Sequence, residues 1–386
     1  MHLHDAGLEP EDILRELSLR LAEDSNFESG QILGCMYSSP DPLSASVFAR
    51  FLAKNAGDPG LFPATRDLER EVVSLMGALL GSERAAGSLL SGGTEANILA
   101  LWAARRRAGR ARRQVILPES AHYSFDKAAD LMDLELQKIP LDDRYQMDAR
   151  LAAQAITPRT MAIVGVAGST GLGSVDPIEE LSRLAATHDI YLHVDAAFGG
   201  FVLPFLEEAG YPSRRFDFGL PGVCSITMDP HKMGRSPIPA GSLLFRDESL
   251  ARYTATNVSY LTGGEAEQRT LVGTRPGASV AAVWAALHRF GRAGFVRIVR
   301  EAMELTHWLS REIDLIPGFS LVAEPVMNLI GVRSARLSSH ELASTLRVQG
   351  WGVAAFDGFV RIVVMPHLTR SKLAPFLEAL RATSPR

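Results

Sequence analysis

Residues 190–200 read Ile190-Tyr191-Leu192-His193-Val194-Asp195-Ala196-Ala197-Phe198-Gly199-Gly200. A compact apolar run of this length is short for a helix and reads as a strand buried on both faces. It delivers a carboxylate, Asp195, at its carboxyl end. Comparable runs lie at 161–166, 223–228 and 241–245, with shorter ones at 87–90, 114–117 and 136–139. Helical patterns fill the intervals at 94–107, 123–133, 148–156 and 177–187, the last opened by Asp176-Pro177 as an N-cap followed by proline. Short strands alternating with such helices predict an α/β fold: a mostly parallel sheet covered on both faces.

Outside this block the texture differs. Residues 10–23 place Ile13, Leu14, Leu17 and Leu21 at helical spacing, a face suited to pack on another subunit. Residues 34–66 are rich in Gly, Pro, Ser and Asp and read as loops with one short helix at 45–54; Leu68, Val72, Leu75, Met76 and Leu79 then mark a longer one. After Gly277 a long helical stretch reaches Ile313. Strands at 319–322, 328–332 and 360–364, a helix at 339–348 and a last helix including 376–382 follow. The expected division is an amino-terminal segment 1–55, a large domain 56–276 and a smaller C-terminal α+β domain 277–386.

Four clusters carry chemistry. Ser91-Gly92-Gly93-Thr94-Glu95-Ala96-Asn97 is a glycine-rich turn opening a helix, where free N–H groups and the Thr94 hydroxyl form a phosphate cradle or an ordinary cap. Asp195 falls where a parallel sheet opens its ligand crevice, and a buried carboxylate needs a partner such as a protonated ring nitrogen. Small Ala197 lets a flat ring lie close by. In Asp229-Pro230-His231-Lys232 a strand runs into a turn presenting a lysine, and a desolvated lysine can lose its proton and form an imine. His122-Tyr123 supplies flat side chains on which a ring can stack.

In this order the motifs resemble those of the group II pyridoxal-phosphate decarboxylases, a branch of the aspartate-aminotransferase-like type I fold, and within it the archaeal-type L-tyrosine/L-aspartate decarboxylases. The resemblance also takes in Gly57-Asp58-Pro59-Gly60-Leu61-Phe62-Pro63, Val175-Asp176-Pro177-Ile178, Gly273-Thr274-Arg275 and Arg361-Ile362-Val363-Val364-Met365-Pro366-His367. It implies pyridoxal 5'-phosphate as cofactor, carried on Lys232, with Asp195 at the ring nitrogen and His122 stacked on the ring. Gly93, Thr94 and His231 would contact the phosphate, Thr170 and Ala197 would face the ring, and Gly273 and Thr274 would complete the partner's site in a homodimer. Arg361 is the implied anchor of a substrate carboxylate, and Tyr260 is the candidate acid that protonates Cα. The chain departs from the pattern at Ser169-Thr170-Gly171, where Thr-Thr-Glu or similar is expected.

The implied reaction is decarboxylation of an L-amino acid, with L-aspartate ahead of L-tyrosine. Arg275 and Arg361 are available cations, and the loop 37–46 at the entrance offers little aromatic surface. The alternative is an aldehyde-releasing lyase of the sphingosine-phosphate type, which shares Gly273-Thr274-Arg275-Pro276-Gly277 but needs a basic phosphate pocket and a lipid-binding surface. The chain has 386 residues and a net charge of −4, so the basic run Arg105 to Arg113 reads as a solvated helix end and no nucleic-acid partner is expected. Two cysteines, no signal-like start and no long apolar run point to a cytoplasmic enzyme with no membrane span and no metal, His2 and His4 being a mobile terminus.

Overall fold

The computed structural model describes residues 2, 6–262 and 266–383; His4 lies outside the described residues, and His2 is exposed. Seven strands form the central sheet: β1 Ala86–Leu90, β2 Gln114–Pro118, β3 Glu135–Ile139, β4 Thr160–Val166, β5 Tyr191–Asp195, β6 Val223–Thr227 and β7 Gly241–Phe245. Their order is β1-β7-β6-β5-β4-β2-β3. The pairs β2·β3, β2·β4, β4·β5 and β5·β6 are parallel, and both pairs made by β7 are antiparallel. Six strands therefore point one way, and their carboxyl ends open on a single edge.

Side-chain alternation along these strands feeds two cores. Ile116, Ile163, Leu192, Val194, Ile226 and Leu244 face one side, while Val115, Leu117, Ala162, Val164, Tyr191 and Leu243 face the other. The helices that precede β5 are α1 Pro10–Leu21, α2 Pro42–Arg50, α3 Pro63–Leu79, α4 Gly93–Ala108, α5 Ser124–Met132, α6 Ala149–Gln154 and α7 Ile178–His188. Short α8 Leu206–Ala209 and α9 Glu248–Ala251 precede a hairpin of β8 Thr256–Val258 and β9 Ala266–Gln268. The long α10, Gly277–Asp314, is kinked at Gly291, where φ is 54°. It contributes Val280, Val283 and Phe295 to the first large core and Leu309 and Ile313 to a third.

That third core lies on a four-stranded antiparallel sheet of β10 Phe319–Leu321, β11 Leu329–Ser334, β12 Ala354–Phe356 and β13 Phe359–Val363, with α11 Ser339–Val348 and α12 Arg370–Thr383. Leu33, far upstream, is buried in the same core, and its N–H donates to Gly352 O at 2.8 Å. Among the described residues no helix is long and apolar enough to cross a membrane.

Two local readings change. The helix expected at 45–54 starts at Pro42, because the Asp41 carboxylate accepts from the Leu43 and Ser44 N–H groups at 3.0 and 3.2 Å. Asp176 does not cap α7. Pro177 occupies the N-cap without a side-chain bond, and the Asp176 carboxylate turns inward to accept from Met147 N at 2.8 Å and Val166 N at 2.8 Å. Burial raises its pKa to about 7 against the lowering effect of those two N–H donors.

Candidate active site

At the carboxyl edge of the sheet the loops after β1, β2, β4, β5 and β6 surround a cavity of about 340 Å³. Its walls bring together Gly93, Thr94, His122, Thr170, Asp195, Ala197, His231 and Lys232, joined by Asn97, Ser120 and Met36. A larger hollow of about 660 Å³ lies elsewhere, around Glu69, Arg269 and Arg275. Its arginines are paired: Arg275 with Glu69, and Arg269 with Glu248 and Glu267. Arg275 also donates to Leu89 O at 2.6 Å, so it is a structural cation and not an available anchor for an acidic substrate.

The turn after β1 is fastened by Glu95, which accepts from both the N–H and the hydroxyl of Ser91 at 2.8 Å. Beneath it lies Asp229, 1% exposed, whose Oδ2 accepts from Gly93 N at 3.1 Å and stands 3.2 Å from Lys232 Nζ. One buried carboxylate thus holds both the glycine turn and the lysine. His231 Nδ1 accepts from Ala240 N at 3.2 Å, and burial lowers its pKa, so its neutral form carries a proton on Nε2. A methyl group on Gly93 would come within 2.9 Å of Asp229 Oδ2, and one on Gly92 within 3.2 Å of the His231 ring. Only bare backbone fits there.

Across the cavity, Asp195 ends β5. Its Oδ1 accepts from Ala197 N at 3.1 Å and its Oδ2 from Asn97 Nδ2 at 2.8 Å. His122 Nδ1 accepts from Ser124 N at 3.3 Å, and burial lowers its pKa, with Asp195 acting in the opposite sense. Its ring centroid lies 4.1 Å from that of Tyr123. Thr170 sits on a tight loop closed by the Ser169 and Ser174 hydroxyls at 2.7 Å. At the next position a Cβ on Gly171 would meet Phe359 at 3.3 Å, so the glutamate expected there has no room without a shift of that ring.

Four expected residues do not line this cavity. Arg361, 6% exposed, donates Nη1 to Thr170 O at 2.6 Å and Nη2 to Gly34 O, and so braces the wall from behind. Gly273 and Thr274 are exposed, and Tyr260, 85% exposed, stands on the loop after β8. Sequence reading quoted Asn97 and Asp229 inside motifs without giving them roles, because their work is visible only across the chain. Arg235, on the turn after Lys232, was missed; its Nη1 lies 3.5 Å from Ser38 Oγ.

These groups suit a flat, phosphate-bearing pyridine. The donor set at one end is anion-binding: backbone at the start of α4, the Thr94 hydroxyl, His231, and Ser120, whose buried hydroxyl has no protein partner. Asp195 has a carboxylate that could meet a ring nitrogen, and Lys232 lines the same cavity. Among the described residues no group of three or more His, Cys, Asp or Glu is placed to hold a metal ion.

Residues 36–334 match the family model described as the pyridoxal-dependent decarboxylase conserved domain. The chain is 46% identical over 382 residues to an L-aspartate decarboxylase of Thermococcus kodakarensis, covering 99% of each. It is 45% identical over 356 residues to a probable L-tyrosine/L-aspartate decarboxylase of Methanothermobacter thermautotrophicus, covering 92% of this chain and 97% of that one. Among solved structures it is similar to a sphingosine-1-phosphate lyase of Burkholderia pseudomallei, with TM-score 0.90 and 31% identity over 99% of this chain and 94% of that one. A glutamate decarboxylase of Lactobacillus brevis, 23% identical, superposes with TM-score 0.89 over 99% of this chain and 93% of that one, a likeness of fold.

Proposed function

The chain belongs to the pyridoxal-dependent decarboxylases, and on that footing we propose that it converts L-aspartate to β-alanine and carbon dioxide. The family reaction is pyridoxal-phosphate-dependent decarboxylation of an amino acid. The choice of aspartate rests on the cavity: about 340 Å³ must hold cofactor and substrate together, and small polar residues such as Ser91, Ser120, Thr94 and Thr170 form much of the lining. A phenol needs an apolar slot, whereas a second carboxylate needs a nearby cation. The relatives named for L-aspartate support the same choice.

When bound, the cofactor supplies a ring that accepts the electron pair left at Cα. The protein does the rest. Lys232, beside Asp229, is the covalent attachment point. Asp195, oriented by Ala197 and Asn97, holds a proton on the ring nitrogen, and His122 covers the ring with an N–H edge. Gly93, Thr94, Ser120 and His231 hold the phosphate. The positive charge of Arg361, which donates to Thr170 O and Gly34 O, lies behind the Thr170 wall, and that of Arg235 lies beside Ser38; both attract substrate carboxylates, and burial lowers the pKa of Arg361 to about 10, still charged at neutral pH.

Tyr260, Gly273 and Thr274 are exposed in their own chain, so we read them as parts of a partner's site in a homodimer: the glycine and threonine toward the phosphate, the tyrosine as acid for Cα. A cytoplasmic setting is supported by Cys35 and Cys224, which are unbridged. Side-by-side kcat/KM values for L-aspartate, L-glutamate, L-tyrosine and L-phenylalanine test the substrate. Aspartate should lead tyrosine by at least about tenfold, and Arg361→Lys should raise KM for aspartate more than for tyrosine. Equal efficiencies would defeat the pocket argument. Release of an aldehyde in place of carbon dioxide would favour the lyase chemistry of the Burkholderia relative.

A further inference from the structure

We propose that Asn97 is a positioning residue that couples the two groups flanking the cofactor ring, Asp195 and His122, through a one-way chain of hydrogen bonds. The inference rests on the pyridoxal-phosphate reading of the cavity. The Asn97 amide is fully engaged. Its Nδ2 lies 2.8 Å from Asp195 Oδ2 and 3.0 Å from Ser124 Oγ, and its Oδ1 lies 2.7 Å from Thr227 Oγ1 and 3.1 Å from His193 Nε2. Asn97 is 1% exposed, and Ser124, His193, Ser225 and Thr227 are fully buried, so water cannot substitute for a missing partner.

The direction of every bond follows. Only the N–H side of the amide can face a carboxylate, which fixes Oδ1 toward Thr227 and His193. Oδ1 only accepts, so His193 carries its proton on Nε2, and its Nδ1, 2.8 Å from Ser225 Oγ, accepts from that hydroxyl. His193 stays neutral because burial lowers its pKa to about 4, with Asp195 opposing. On the other branch Ser124 Oγ accepts from Asn97 and gives its own proton to His122 Nδ1 at 3.0 Å, which already accepts the Ser124 backbone N–H. His122 therefore presents an Nε2–H, not a lone pair, on its free side.

Two consequences meet at one residue. Asp195 receives a fixed N–H that aims its carboxylate, and His122 is locked in one tautomer. A network that merely held α4 on the sheet would affect stability without affecting either group. Asn97→Asp separates the cases: it keeps the acceptor toward Thr227 and His193 but sets an oxygen opposite Asp195. Two adjacent carboxylates then share a proton.

The test has three arms. Nitrogen-15 NMR of the histidines in cofactor-free wild-type protein should show His193 and His122 as Nε2–H tautomers at neutral pH. Asn97→Asp should weaken binding of added pyridoxal phosphate and lower kcat, each by roughly tenfold or more, with KM little changed and the acid limb of the pH profile moved upward. Ser124→Ala, which cuts only the His122 branch, should weaken the cofactor less and leave the pH profile in the wild-type position. An Nδ1–H tautomer at either histidine overturns the chain. So does a folded Asn97→Asp protein with wild-type cofactor affinity and pH profile. If wild-type protein takes up no pyridoxal phosphate, the cofactor reading fails on its own, and the tautomers still decide the direction of the chain. If Asn97→Asp does not fold, the NMR and Ser124→Ala arms decide.

Discussion

Asp229 is the residue that sets the position of Lys232. Its Oδ2 reaches both Gly93 N and Lys232 Nζ, while its Oδ1 is buried without a protein partner. Lys232 is thereby tied to the same carboxylate as the glycine turn. Borohydride treatment of the loaded enzyme should fix the cofactor on Lys232, and peptide mapping that finds it on Lys127 or Lys138 would refute the assignment. Lys232→Ala should abolish turnover. Asp195→Asn should retain the cofactor yet lose on the order of 10²-fold in kcat, the scale of one lost electrostatic contact in a dry site; near-normal turnover would remove Asp195 from its role. Asp195 and Lys232 were legible in the sequence because one ends an apolar strand and the other lies in the turn that follows one. Asn97, Ser124 and Thr227 were not, since hydrogen bonds spanning 27 to 130 positions leave no local pattern.

At the scale of elements, β4, β5 and β6 announce themselves, because strands covered on both faces are continuous apolar runs. β12 does not: Ala354-Ala355-Phe356 is too short and bland to stand out, and it pairs only with β13. Asp176 shows how a correct motif can carry the wrong role. The Asp-Pro pair looks like a cap, yet the carboxylate joins the end of β4 to Met147 in the loop before α6. Its pKa is raised, to about 7, so the folded state binds the extra proton. This contribution to stability is complete below the ordinary carboxylate range and is lost as pH rises through about 7. Urea melts at pH 5 and pH 8 should therefore show wild-type losing more stability across the interval than Asp176→Asn. The variant itself should be weaker at pH 5 by about 1–3 kcal/mol, because an amide can accept only one of the two N–H groups. Equal pH slopes in the two proteins would contradict the assignment.

For the whole molecule, the exposed surface is as informative as the cavity. α1 buries none of its residues, and Leu14, Leu17 and Leu21 stand open on it. Gly273, Thr274 and Tyr260 are exposed as well, and the proposed homodimer would cover surface of this kind. Mixing Lys232→Ala with Thr274→Ala subunits tests this. In a shared-site dimer one site carries both lesions and the other neither, so mixed dimers recover activity. Confirmed exchange without recovery would argue for self-contained subunits. Within one chain, the wall behind Thr170 has a different history. Arg361 lies in β13, near the end of the chain, yet it clamps Thr170 O and Gly34 O, and Val363 N donates to Leu33 O at 2.7 Å. A polypeptide emerging from the ribosome can assemble the sheet, the glycine turn and Lys232 long before that arginine is made. The wall behind Thr170 is thus braced by a strand translated well after Lys232, and a nascent chain stalled before β13 carries that lysine in a pocket with an unbraced wall.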